Sequence, residues 1–310
     1  MTGLFCAAER GKADAVRILV TTTANIDQSC IDGATPLYIA SQNGHARVAR
    51  ILVAATANID QSCTDGATPL YIASQNGHAQ VARILIEAGA DIDCSRSGGA
   101  TPLYIASQNG HAEIVRSLIT ANADIDRSRS DGATPLYIAC EKGQTEVVRR
   151  LITAGADLNR SRSDGTTPLF IASQNGHTEV VRRLITAGAD IDRSCRDGAT
   201  PLFIASQSGH AQVVRILVEA GANRAISWSV LYPLDFSILR RTPLTQAKIK
   251  KRSTRLGSEE RRSYNEIISM LVQAHSCGLL PEEDDAQLQA DETTPLLPTM
   301  SRLSLSGKRT

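Results

Sequence analysis

Thr35-Pro36-Leu37-Tyr38-Ile39-Ala40 recurs, with Phe for Tyr in the last two copies, at Thr68, Thr101, Thr134, Thr167 and Thr200, each start 33 residues after the one before. A period that regular describes stacked units that bury their core between neighbours, not one globule. Carrying the frame backwards places Thr2-Gly3-Leu4-Phe5-Cys6-Ala7 in register. Carrying it forwards meets a degraded copy at Tyr232-Pro233-Leu234, one residue early. The array is therefore expected to run from residue 2 to about His275. Its units start near 2, 35, 68, 101, 134, 167 and 200, and a divergent eighth follows.

Within a unit, Thr35 can accept a hydrogen bond at a helix start, and Pro36 sits where a missing N–H costs nothing. Leu37, Ile39 and Ala40 form the apolar side of this first helix. Gly44 closes it, because glycine enters the left-handed conformation without steric penalty. A second helix follows at His45, with Val48, Ile51, Leu52 and Ala55 at the spacing of a buried stripe, and ends near Thr56. The polar run Asn58 to Gly66, with its Asp-Gly turn signal, reads as a hairpin finger.

These residues resemble ankyrin repeats, whose pattern runs Asp-Gly-x-Thr-Pro-Leu-His-x-Ala, Gly-His, an apolar helix and Gly-Ala-Asp. The resemblance covers roughly residues 2–223. It implies an all-α ankyrin-repeat solenoid of stacked helix-turn-helix units with short β-hairpin fingers, binding a protein partner in a concave groove of finger tips and first helices. Two positions depart from the pattern. The family's histidine after Thr-Pro-Leu is Tyr38, Tyr71, Tyr104, Tyr137, Phe170 and Phe203, so an aromatic ring must replace its hydrogen bonds by packing. The second alanine is Ser41, Ser74, Ser107, Cys140, Ser173 and Ser206, which keeps close helix approach open.

Lys and Arg number 33 and Asp and Glu 32, for a net charge of +1, which argues against nucleic-acid binding along the whole surface. No apolar run approaches the ~20 residues of a membrane span, and Glu9, Arg10 and Lys12 interrupt any leader, so a cytoplasmic or nuclear monomer is expected. Seven cysteines, three of them one repeat or more apart in equivalent fingers, fit reduced thiols. Five histidines recur at the start of the second helix, too far apart to share a metal. An array repeats one residue along a line, whereas an enzyme needs different residues converging on one atom. No catalytic residue, metal site or cofactor is expected.

Along the fingers, Gln28, Cys30, Gln61 and Cys63 give way to Arg96, Arg127, Arg129, Arg160, Arg162, Arg193 and Arg196. The groove is expected to turn basic toward its C-terminal half and to favour an acidic protein segment, since charges about 10 Å apart lie near one Debye length. The alternative is that Asp126, Asp131, Asp164, Asp192 and Asp197 neutralise these arginines. Other candidate contacts are Ser130, Asp131, Gln108, Asn109, Gln174 and Asn175. The reading is a non-enzymatic scaffold or adaptor. Its rival is a nucleic-acid or anionic-lipid binder acting through the basic residues.

Residues 224–277 are expected to form a divergent capping repeat, in which Glu266 to Ala274 matches Gln212 to Ala220 at a spacing of 54. The extra length, about 239–262, holds nine Lys and Arg against Glu259 and Glu260. Residues 278–310 begin with Glu282, Glu283, Asp284 and Asp285 and continue Ser/Thr-rich, which reads as a disordered tail able to fold back on basic residues. Thr23, Thr56 and Asn122 occupy positions where glycine would relieve a left-handed backbone. The first two units should therefore fray, and hydrogen exchange should be faster across residues 2–60 than across 134–220.

Overall fold

The computed structural model describes residues 2–22, 25–225, 228–231, 238–251 and 257–273. Seven antiparallel helix pairs lie side by side: α1 (Gly3–Glu9) with α2 (Ala13–Thr22), α3 (Pro36–Gln42) with α4 (Ala46–Ala54), α5 (Pro69–Asn76) with α6 (Ala79–Glu87), and α7 (Pro102–Asn109) with α8 (Ala112–Thr120). They continue with α9 (Pro135–Glu141) and α10 (Thr145–Thr153), α11 (Pro168–Gln174) and α12 (Thr178–Thr186), and α13 (Pro201–Ser208) and α14 (Ala211–Glu219). First helices pack on first helices and second on second, so the core is a strip running through the row.

Each first helix starts as its residues dictate. The threonine is extended and its Oγ1 accepts the N–H three residues on, from Tyr38 to Thr35 and from Tyr104 to Thr101 at 3.1 Å, with proline in the first turn. Leu37, Leu70, Leu103, Leu136, Leu169 and Leu202 are buried completely or nearly so, each worth about 1.5–3 kcal/mol. The column Ser41, Ser74, Ser107, Cys140, Ser173 and Ser206 has no exposed surface, so small side chains do permit the close approach.

Adjacent pairs are locked at the turn between their helices. The His78 ring Nε2–H donates to Gln42 O at 2.9 Å, and the same contact joins His45 to Glu9, His111 to Gln75, His177 to Glu141 and His210 to Gln174. The ring packs against the glycine of the preceding turn. A Cβ on Gly44 would stand 2.6 Å from His78 Nδ1, and Gly44 has φ +75°, so the position excludes other residues twice over. Gln144 takes the histidine's part toward Gln108 O at 3.3 Å.

The fingers are hairpins reduced to their turns. Gly66 N–H donates to Cys63 O and Cys63 N–H to Ala67 O, both at 3.0 Å, and the chain then enters the next helix. Each finger is stitched to the one before it: Thr64 N–H to Asp32 O, Ser97 N–H to Asp65 O, Ser130 N–H to Gly98 O, Ser163 N–H to Asp131 O and Arg196 N–H to Asp164 O, at 2.8–3.1 Å. A second rung runs from the Asp27, Asp60, Asp93, Asp126, Asn159 and Asp192 side chains to backbone N–H groups 31 residues on.

After Asn223 the pattern changes. Strands β1 (Trp228–Leu231) and β2 (Ile238–Arg241) pair antiparallel, Trp228 opposite Arg241 and Leu231 opposite Ile238. The helix pair α15 (Pro243–Lys251) and α16 (Ser258–Gln273) then stacks on α13 and α14. The eighth first helix thus begins at Thr242-Pro243-Leu244, while Tyr232-Pro233-Leu234 and residues 274–310 lie outside the described residues. Thr242 follows Thr200 by 42 residues and Tyr264 follows His210 by 54. The extra chain is therefore not one insertion at 239–262 but two, nine residues before α15 and twelve between α15 and α16. Tyr264 replaces the histidine: its hydroxyl donates to Gln207 O at 2.8 Å, and its ring covers Gly209.

Thr56 (φ +62°) and Asn122 (φ +65°) do adopt the left-handed conformation, while Thr23 lies outside the described residues. Thr56→Gly should therefore stabilise the chain by about 0.5–1 kcal/mol in urea unfolding, strain relief exceeding the entropy that glycine adds. Gly44→Ala and Gly89→Ala share the left-handed cost, but a Cβ on Gly89 meets nothing within 4 Å. The Gly44 variant should lose about 1 kcal/mol more, the worth of the displaced histidine bond, in the same measurement.

Candidate interaction ledge

The stitched fingers and the first helices form a continuous ledge, and the predicted contact residues fall on it in columns one repeat apart. The inner column is Cys30, Cys63, Arg96, Arg129, Arg162 and Cys195; the outer is Gln28, Gln61, Cys94, Arg127, Arg160 and Arg193.

The inner arginines are spent within the molecule. Arg96 Nη2 pairs with Asp65 Oδ2 of the preceding finger at 2.6 Å, and its guanidinium lies 5.9 Å from the centre of the Tyr71 ring. Arg129 grips Asp131 with two hydrogen bonds, Nε to Oδ1 at 3.1 Å and Nη2 to Oδ2 at 2.6 Å, over Tyr104 at 5.8 Å. Arg162 reaches the Tyr137 hydroxyl at 3.5 Å and lies 3.7 Å from both Asp131 and Asp164. Tyr137 also bonds Thr166 Oγ1 at 3.0 Å. Tyr71, Tyr104 and Tyr137, three of the tyrosines at the family's histidine position, are platforms for the arginine of the next finger.

Ionisation follows this geometry. Burial pushes the Tyr104 hydroxyl up to about 12, and raises Tyr71 against the opposing pull of Arg96. Burial works to raise Asp131, but hydrogen bonds from Arg129 and the Ala133 N–H outweigh it and hold the carboxyl below its usual range. Asp65 is lowered first by its hydrogen bond from Cys63, then by Ala67 N–H and Arg96.

The outer column differs. Arg127, Arg160 and Arg193, with Arg196 at the sixth finger tip, are exposed and have no carboxylate within ion-pair distance among the described residues. The expected basic groove needs correction all the same. Finger 58–67 carries two aspartates and no arginine, finger 157–166 balances two against two, and finger 124–133 holds Asp124, Asp126 and Asp131 against Arg127 and Arg129. The arginines bring acidic fingers close to neutrality, with unpaired cationic points at the outer column and at Arg196.

The amide candidates divide as well. Asn109 donates to Gln75 O at 2.8 Å and Asn175 to Glu141 O at 2.9 Å, bonds that join repeats. Gln174 is exposed, Gln108 is half-buried, and the Ser130 side chain is exposed at its tip. Asp131 serves as finger staple and arginine partner. What sequence reasoning missed is the Tyr–Arg platform. Its signal was present: Tyr71, Tyr104 and Tyr137 each have Arg 25 residues later, whereas Phe170 has Cys195.

Ser41 Oγ donates to Leu37 O while His45 bonds Glu9 O, so the neighbouring serine and histidine serve different partners. Among the described residues no group of His, Cys, Asp or Glu is placed to hold a metal ion, the six cysteines are free, and no helix is long and apolar enough to cross a membrane. Of the basic residues near the C-terminus, Lys248, Lys250 and Lys251 lie on α15, Arg261 and Arg262 at the start of α16, and Arg252 and Arg255 outside the described residues.

A family model described as ankyrin repeats matches three times, over residues 4–96, 91–162 and 136–227. Among solved structures, the ankyrin repeat domain of human ASB11 is 28% identical with a TM-score of 0.66, covering 73% of this chain and 100% of that one. The ankyrin repeat domain of Bcl-3, a member of the IkappaB protein family, is 29% identical with a TM-score of 0.64, covering 70% of this chain and 98% of that one. No curated protein sequence gives a significant match. With its repeat model spanning most of the length and its helix pairs, turn glycines and fingers in the corresponding order, the chain belongs to the ankyrin-repeat family.

Proposed function

We infer that this chain, like ankyrin-repeat domains in general, is a protein–protein interaction module. We propose that this one is a scaffold or adaptor whose ledge holds a segment of another protein, and that Arg127, Arg160, Arg193 and Arg196 select the segment by its carboxylates. The observation that carries this is the division of labour among the arginines. The inner column is neutralised in place and rigidifies the ledge, while the outer column keeps exposed guanidinium groups one repeat apart. Because the fingers between them are near neutral, the fit is to a chain with spaced acidic residues, not to a dense polyanion. That weighs against nucleic acid, whose binding needs many phosphate contacts in a continuous basic field.

The inner and outer columns should separate in experiment. Arg127→Ser with Arg160→Ser and Arg193→Ser should leave thermal unfolding unchanged and weaken capture of the bound protein about tenfold or more. Arg96→Ser with Arg129→Ser should instead lower the unfolding temperature, by breaking two charge-assisted pairs and two cation–π contacts. Capture that survives the outer-column substitutions intact would refute the assignment.

A further inference from the structure

The last helix pair presents a face unlike any other in the row. In six successive first helices, each packed against the next, the residue after the core alanine is a fully buried Ser or Cys, from Ser41 to Ser206; in α15 the equivalent residue, one after the core alanine Ala247, is Lys248. A lysine there keeps another first helix from approaching as closely as its predecessors do. Yet the companion helix α16 leaves apolar surface on the same side. Val272 is 44% exposed and Ile268 only partly buried, although the residues equivalent to Ile268 in earlier second helices, such as Val148, Val181 and Val214, are wholly buried. Lys250, Lys251, Arg261 and Arg262 lie on this pair with no ion pair among the described residues, against Glu259 and Glu260. Of these two, Glu260 accepts the Gly257 N–H at the helix start.

We propose that this face is covered in cis by residues 279–292 of the same chain. The segment supplies what the face lacks. Leu279 and Leu280 can cover the apolar strip, and Glu282, Glu283, Asp284, Asp285, Asp291 and Glu292 can meet the cations, with no Lys or Arg between residues 274 and 301. The reach is right. Helix α16 has 16 residues and is about 24 Å long, and Arg261 and Arg262 sit at its start. The eight residues 274–281 extend at most about 29 Å, so a chain leaving Gln273 and running back along α16 delivers Glu282 to that end. Tethering over so short a span makes the local concentration high, and the opposed charges lie within a Debye length once in place. The acidic segment is thereby held at the array's end, away from the ledge and its outer arginines.

Hydrogen exchange on the full-length protein tests this contact apart from partner binding. Changing Glu282→Gln, Glu283→Gln, Asp284→Asn and Asp285→Asn should speed exchange across residues 258–273 about tenfold at low salt, and should add little at high salt, where the attraction is already screened. Arg261→Glu with Arg262→Glu should have the same effect, and adding Glu282→Lys with Glu283→Lys should restore protection. Unaltered exchange in the neutralised variant, or failure of the charge swap to restore it, overturns the proposal. Protection of α16 that rises with protein concentration would place a second copy on the face and also overturn it. Capture of a partner by the ledge is a separate readout, so either reading can fail alone.

Discussion

A histidine cannot bond a carbonyl 36 residues behind it unless two repeats are seated in one register. The contact of His45, His78, His111, His177 and His210 with the turn before each is therefore the constraint on which the stack depends. It requires glycine beneath the ring, because a Cβ there would occupy the ring's own space. It also brings a donor to a carbonyl near a helix C-terminus, beside an asparagine amide at Glu9, Gln42, Gln75 and Glu141. Where histidine is replaced, the contact persists with new chemistry: an amide at Gln144 and a phenol at Tyr264. The carbonyl's need for a donor is thus more constant than the identity of the residue that meets it.

At the opposite edge the fingers are joined by backbone hydrogen bonds and by aspartate rungs, so the ledge is held from both sides of the helical strip. The Tyr–Arg–Asp clusters add stiffness to its middle. Each is shared between neighbours, the ring of one unit supporting the guanidinium of the next, and stiffness and neutrality come together. This leaves the outer column as the part of the surface whose charge is available to another molecule.

The repeat length, both helices, their caps and the turn glycines were legible because each is local: a threonine, a proline and a glycine act on backbone within a few residues of themselves. The left-handed strain at Thr56 and Asn122 was legible for the same reason. The candidate site was legible as a set of finger arginines but not in its roles. Arg129 and Arg127 stand two residues apart and both are exposed, yet one is bound to Asp131 over Tyr104 and the other has no ion pair among the described residues. Asn109 looked like a groove contact until its amide was seen to bond Gln75 O in the preceding repeat. The eighth unit was misplaced because Tyr232-Pro233-Leu234 sits close to the regular period, whereas Thr242-Pro243-Leu244 lies nine residues beyond it, behind a two-stranded hairpin.

What sequence alone determined, then, is the repeating unit and its order in a row, since periodic side chains dictate local conformation and a strip of buried apolar faces. Tertiary structure decided which polar groups remain for others. Apart from local pairs such as Arg129 with Asp131, that outcome depends on distances between residues 25 to 57 positions apart, set by how one unit seats on the next, and no local rule reads a partner across that gap. A guanidinium over a neighbouring ring and a guanidinium in water are the same letter in the chain.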